Sequence, residues 1–214
     1  MEEKQHKRRV RYSGTHPKTY KEKYKELNPE KYADTVARVI QKGGTPAGMH
    51  IPIMVKEILD FLQIQPGQQG LDATLGYGGH TGEMLKCLEN QGHLYALDVD
   101  PIESEKTRER LEKLGYGPEI LTVRLQNFAE IDKVCEETGL FDFVLADLGV
   151  SSMQIDNPDR GFTYKADGPL DLRLNPQQGI SAAQRLADIS REELEGMLIE
   201  NSDEPYAHEI AAKV

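Results

Sequence analysis

Residues 69–82 read QGLDATLGYGGHTG. Gln69 to Thr74 forms a short run of the kind found in a buried strand. Gly76-Tyr77-Gly78-Gly79-His80 follows as a glycine-rich turn. A helix is then predicted from Thr81 to Glu89, with Met84, Leu85 and Leu88 on one side. Glycines between a strand and a helix let the backbone turn sharply and approach a ligand closely. The turn is not a phosphate loop, because no Lys-Ser/Thr pair follows the glycines. It is not a clean dinucleotide fingerprint either, because Thr81 stands where the last glycine belongs. A ligand without phosphates is favoured over a dinucleotide, and a plain tight strand–helix turn is the alternative.

Outward from this turn the same grammar repeats. Upstream, Ile53, Val55, Ile58, Leu59 and Leu62 mark an amphipathic helix that Pro66-Gly67 breaks. Downstream come a strand over His93–Asp98, a charged helix over Glu103–Leu114 and a strand over Ile120–Leu125. A helix over Ala129–Glu137 and a strand over Phe141–Leu148 complete the series. Strands alternating with helices about every 20–30 residues predict βαβ crossovers, hence an α/β fold with a parallel, Rossmann-like sheet. After Ser152 the alternation stops. Residues 153–180 are rich in Asp, Pro, Gly and Arg and read as a long loop or inserted lobe, of a length that is often functional. Ser181 is expected to cap a helix through Ile189. Ser190-Arg191-Glu192-Glu193 is expected to form a capping box for another helix. The sequence then stops within a further helical stretch, without a closing strand, so a chain lacking part of its fold is expected.

Composition narrows the class. The 214 residues hold 26 Lys+Arg and 36 Asp+Glu, and two cysteines, Cys87 and Cys135, are too few for a disulfide scaffold or a four-thiolate zinc site. No apolar run reaches the ~18–20 residues of a membrane span. The N-terminal charges have no apolar stretch behind them, unlike a secretory signal, so a cytoplasmic protein is expected. Residues 1–44 carry 12 Lys+Arg against 6 Asp+Glu, leaving 14 basic and 30 acidic residues in the remainder. A basic arm interleaved with Tyr12, Tyr20, Tyr24 and Tyr32 suits RNA, with cations on phosphates and rings on bases; a solvated tail is the alternative. The expected division is an arm over 1–44, a ligand-binding domain over 45–154 and a lobe over 155–214.

Three further groups carry potential chemistry. Asp98 ends the second strand, 20 residues after Gly78, where an acidic residue accepts hydrogen bonds from ribose hydroxyls; a helix N-cap is the alternative. Asp147 ends the fourth strand, where open α/β sheets bind ligands. A carboxylate there can orient an amine or take its proton, and a loop cap is the alternative. Arg160 and Arg173, in the Asp-, Gly- and Pro-rich stretch, are candidates for RNA phosphates, against an internally salt-bridged loop. His6, His16, His50, His80, His93 and His208 show no ligand spacing, so no metal is expected.

Seven motifs in order resemble the RsmH (MraW) family. They are His50-x-Pro52-x-Met54-Val55-x-Glu57, Asp72 through His80, Asp98-x-Asp100-Pro101, Asn127-Phe128, Asp147 through Gln154, Arg160-Gly161-Phe162 and Asp167 through Arg173. The resemblance implies a class I methyltransferase fold with a mainly helical inserted lobe. It also implies methyl transfer from S-adenosylmethionine to the exocyclic N4 of a cytidine in 16S ribosomal RNA. The partner would be 16S rRNA or the small ribosomal subunit. By resemblance Gly78, Gly79 and His80 contact the cofactor, Asp98 holds its ribose, and Phe128 lies against the adenine. Asp147 and Gln154 complete the pocket near the reacting end, and Asp147 is the candidate catalytic group. The alternatives are a non-catalytic RNA-binding protein on this fold and a methyltransferase for another base. Asp147-Leu148-Gly149-Val150 is not the Asp/Asn-Pro-Pro-aromatic motif usual for exocyclic amines.

Overall fold

A computed structural model describes residues 52–214. The basic arm and His50 lie outside the described residues. The described chain begins with α1 (Val55–Leu62). It continues through β1 (Gln69–Asp72), α2 (Gly79–Leu88), β2 (His93–Asp98), α3 (Pro101–Lys113), β3 (Leu121–Leu125), α4 (Ile131–Thr138) and β4 (Phe143–Leu145). All four strands are parallel, in the order β3-β2-β1-β4.

That order, with right-handed crossovers, decides where the helices lie. The steps β1 to β2 and β2 to β3 move in one direction across the sheet, and right-handed connections place their helices on one face. The step β3 to β4 moves back past β1, so its helix falls on the other face. The core obeys this. Met84, Leu85 and Leu88 of α2 and Leu111 of α3 pack with Leu94, Ala96, Leu121 and Phe143. Val134 of α4 packs with Leu71 and Leu97, flanked by Tyr95, Ile131 and Phe141. On β2 alternate residues serve the two faces, Leu94 and Ala96 against Tyr95 and Leu97, as the strand period requires. Leu71, Leu85, Leu88, Leu94 and Leu97 are fully buried, each contributing about 1.5–3 kcal/mol of transfer free energy.

The first and last strands are shorter than the sequence predicts. β1 ends at Asp72, where the chain leaves for the glycine turn, so β4 finds ladder partners only from Gly70↔Phe143 to Asp72↔Leu145. A Cβ on Gly70 would lie 2.1 Å from the Phe143 ring, so the ring packs over β1 only because that position carries no side chain. The helices start where their caps dictate. Asp100 Oδ1 accepts the Ile102 and Glu103 N–H groups, and Pro101 opens α3 two residues before the predicted start.

Beyond β4 come α5 (Ser152–Asp156), a 3-10 turn (Pro158–Arg160), an irregular stretch, and α6 (Ala182–Asp188), α7 (Arg191–Ser202) and α8 (Ala207–Ala211). Ser151 and Ser181 close reciprocal capping boxes with Gln154 and Gln184. The box predicted at Ser190 is only half made. Ser190 accepts the Glu193 N–H, whereas the Glu193 carboxylate turns to Arg185.

Candidate functional site

Where neighbouring strands send their chains to opposite faces, their carboxyl ends part and leave a crevice. Here that switch lies between β1 and β4, and its rim gathers the residues singled out in the sequence. Thr74, just past β1, accepts the backbone N–H of Asp147 at 2.7 Å, joining the two sides of the switch. Below it Asp72 is buried and accepts the Thr81 hydroxyl at 2.6 Å and the Thr74 N–H at 3.0 Å. Burial pushes its carboxyl above the ordinary range, and these two bonds oppose that shift.

The glycine turn is shaped by α3. Gly78 is the N-cap of α2 with φ +67°, a left-handed conformation that favours glycine. A Cβ there would lie 2.7 Å from Thr107 Cγ2. Thr107 in turn donates its hydroxyl to the Gly76 carbonyl at 2.7 Å, and Arg110 donates to the Tyr77 carbonyl. The turn is therefore clamped from behind, independently of any ligand.

Asp98 Oδ2 accepts the Gly76 N–H and its Oδ1 accepts the Asp100 N–H, both at 2.8 Å. A carboxylate offers about four acceptor positions, so acceptor capacity remains beyond these two bonds. Burial raises its pKa above the carboxylate norm. The N-cap alternative for Asp98 is not what the structure adopts: Asp100 caps α3, and Asp98 braces the glycine turn.

His80 is buried in the first turn of α2. Its Nε2 lies 3.0 Å from the Ile53 carbonyl, an acceptor only, so Nε2 carries the proton. Nδ1 then faces Asp147 Oδ2 at 3.7 Å. The histidine thus anchors the glycine turn to the chain before α1 and lies beside the carboxylate that follows β4. Phe128 starts a 3-10 turn after Asn127, which caps it, and the ring is exposed.

Beside these groups a cavity of about 700 Å³ opens between the strand ends and the 173–178 stretch. Val99, Gln126, Asn127 and Ala129 line it from the sheet, and Arg173, Asn175 and Gln178 from the opposite side. Arg173 grips Asp171 with Nε and Nη2, each at 2.7 Å, and donates to the Gly179 carbonyl. The fork lowers the Asp171 carboxyl to about 2. The charge expected on a phosphate is already matched inside the loop.

Arg160 corrects the sequence reading outright. It is buried, pairs with Asp100 Oδ2 at 2.8 Å and donates to the Leu174 carbonyl at 2.7 Å, and so is withdrawn from any nucleic acid. Gln154 joins the same carboxylate, its Nε2 donating to Asp100 Oδ2 at 3.0 Å. Asp100 was legible only as part of a motif. Its burial depends on partners 54 and 60 residues away, which no local pattern announces.

The strand-end set is acidic: Asp72, Asp98 and Asp147 surround a glycine turn without a phosphate-binding lysine. Such a set suits a ligand that brings positive charge and hydroxyl donors. Among the described residues no group of His, Cys, Asp and Glu could hold a metal ion, and no helix is long and apolar enough to cross a membrane.

The chain is 76% identical over 209 residues to ribosomal RNA small subunit methyltransferase H 1 of Lachnoclostridium phytofermentans, covering 98% of this chain and 57% of that protein. It is 71% identical over 213 residues to the protein of the same name from Agathobacter rectalis, covering 100% of this chain and 61% of that one. The chain thus spans about three-fifths of the length of these relatives. Among solved structures, a protein-L-isoaspartate O-methyltransferase matches with a TM-score of 0.39 at 12% identity, over 51% of this chain and 32% of that one. The model of the MraW methylase family matches residues 47–214, and the chain belongs to that family.

Proposed function

We propose that this chain carries the cofactor-binding part of an enzyme that methylates the exocyclic N4 of a cytidine in 16S ribosomal RNA. The methyl donor is S-adenosylmethionine, which when bound supplies an electrophilic methyl group on a sulfonium sulfur. The observation that carries the reading is the acidic, lysine-free strand-end set at the β1/β4 switch, built around Asp98, His80 and Asp147. The residues fit this donor: it has no phosphates, it is cationic at sulfur and amine, and its ribose hydroxyls match the acceptor capacity of Asp98.

Each residue has a defined task. Gly78 and Gly79 let the backbone come close to the donor, and His80 fixes the turn against the Ile53 carbonyl. Asp98 accepts the ribose hydroxyls, Phe128 covers the adenine, and Gln154 closes the pocket. Asp147 accepts a hydrogen bond from the cytosine amine. The nitrogen lone pair of that amine is conjugated into the ring, and a carboxylate on its N–H enriches it and holds its proton. Alignment of the amine with the methyl carbon, and exclusion of water, supply the rest. The 155–214 lobe shapes the RNA cleft, and the basic arm adds attraction to phosphates in the cytoplasm.

Calorimetric titration of the 214-residue chain with S-adenosylmethionine, with NAD as control, tests the first half. Nucleoside analysis of 16S rRNA and of small subunits incubated with chain and labelled donor tests the second. Saturable binding of S-adenosylmethionine alone, followed by N4-methylcytidine, is expected. A folded chain that binds RNA but not the donor would replace this reading with a non-catalytic RNA-binding protein.

A further inference from the structure

The Asp100 carboxylate is fully buried and serves three separate parts of the chain. Oδ1 caps α3 through Ile102 and Glu103, while Oδ2 receives Gln154 Nε2 at 3.0 Å and Arg160 Nη1 at 2.8 Å. Arg160 also reaches the Leu174 carbonyl at 2.7 Å, tying down the stretch that forms the outer wall of the cavity. Gln154 is held from two sides, because its Oε1 accepts the Ser151 N–H at 2.9 Å while its Nε2 points to Asp100. The side-chain amide therefore has one permitted orientation. A lone buried carboxylate is costly unless paired, and Arg160 supplies that pairing at the same oxygen that holds the amide.

The geometry points to Arg160 as a positioning residue for the cofactor pocket. Acting through Asp100, it orients Gln154 and fixes the 157–174 segment at the pocket mouth, without touching ligand or RNA. This rests on the reading of Gln154 as a cofactor contact. A neutral core of equal size would fill the space as well. The charged pair adds a defined direction for the amide and a link from α3 to the lobe.

The test is a double-mutant cycle on the 214-residue chain, with Arg160→Met, Gln154→Ala and both together, titrated with S-adenosylmethionine. Arg160→Met is expected to weaken binding about tenfold, within the range of coupling between contacting residues. Arg160→Lys is expected to recover part of the loss. In the Gln154→Ala background Arg160→Met should cost clearly less, since its route through the amide is already cut and only the tie to Leu174 is left to lose. Full additivity, or unchanged affinity in Arg160→Met, would overturn the proposal. Amide hydrogen exchange provides a readout independent of the cofactor. Arg160→Met should lose protection over residues 151–174 while β1 and β2 keep theirs, and unchanged protection there would overturn it. Wild-type chain that fails to bind S-adenosylmethionine would sink the functional reading, and the exchange result would then decide the clamp by itself. If Arg160→Met does not fold, the charge-free pair Asp100→Asn with Arg160→Gln carries the same comparisons.

Discussion

Replacing Gly78 with alanine tests how the glycine turn is built. Two costs are expected. The left-handed backbone at φ +67° penalises a Cβ by about 1–2 kcal/mol. The added carbon would sit 2.7 Å from Thr107 Cγ2 and 3.1 Å from Leu111 Cδ1, an overpacking cost of about 1–3 kcal/mol. A total near 3 kcal/mol corresponds to a fall in Tm of about 6–12 °C for a chain of this size. Gly76 gives the control. Its φ is +48°, yet a Cβ there meets only the Thr74 carbonyl, at 3.8 Å, so Gly76→Ala should show the backbone cost alone. Thr107→Ser separates the terms further, because it removes the clashing methyl while keeping the hydroxyl bond to the Gly76 carbonyl. Urea denaturation of the single variants and the Gly78→Ala/Thr107→Ser pair measures all of them. The pair should lose clearly less from Gly78→Ala than the Thr107 background does. Equal costs for Gly76→Ala and Gly78→Ala, with no relief from Thr107→Ser, would refute the idea that α3 sets the shape of the turn.

The remaining predictions concern charge. Burial raises the Asp72 pKa in the folded chain, so its contribution to stability is greatest below the unfolded value of 3.8 and is lost as pH rises through the folded value. Asp72→Asn should therefore flatten the decline in stability above about pH 4, read from urea midpoints across pH, though Asp98 keeps part of the slope. Asp147→Asn should slow methyl transfer by about 10²-fold and also weaken donor binding; full turnover with unchanged donor affinity would remove the carboxylate from the mechanism. Deleting residues 1–44 removes 12 basic and 6 acidic side chains. RNA affinity should fall, and the slope of log K against log salt should shrink by up to about 4, at ~0.7 per phosphate on single strands; an unchanged salt series would make the arm a mere tail.

Most of the fold was legible in local patterns, because helices and strands are decided by residues close in sequence. The hydrophobic spacing of α2, the alternation of β2 and the glycines before Gly79 each impose a local structure with its own period or turn. Asp98 and Asp147 could be placed because strand ends in such a sheet are where ligands go. The β3-β2-β1-β4 order came only with the structure; given that order, handedness fixes the helix faces but not the depth of the crevice. Strand length was harder to read. Nothing near Phe141 or Leu148 reveals that β1 turns away after Asp72 and leaves β4 only three ladder partners. The fate of the arginines was harder still. A sequence shows Arg160 as a charge in a polar loop, equally suited to a phosphate or to a carboxylate. Which partner it takes depends on the desolvation of both ions, and that is known only once α3, α5 and the 158–174 loop have come together around Asp100. Local sequence therefore determined the elements and the residues at the strand ends. Tertiary packing alone decided which charges are buried in pairs and which stay open at the strand ends, because burial is a property of the assembled chain.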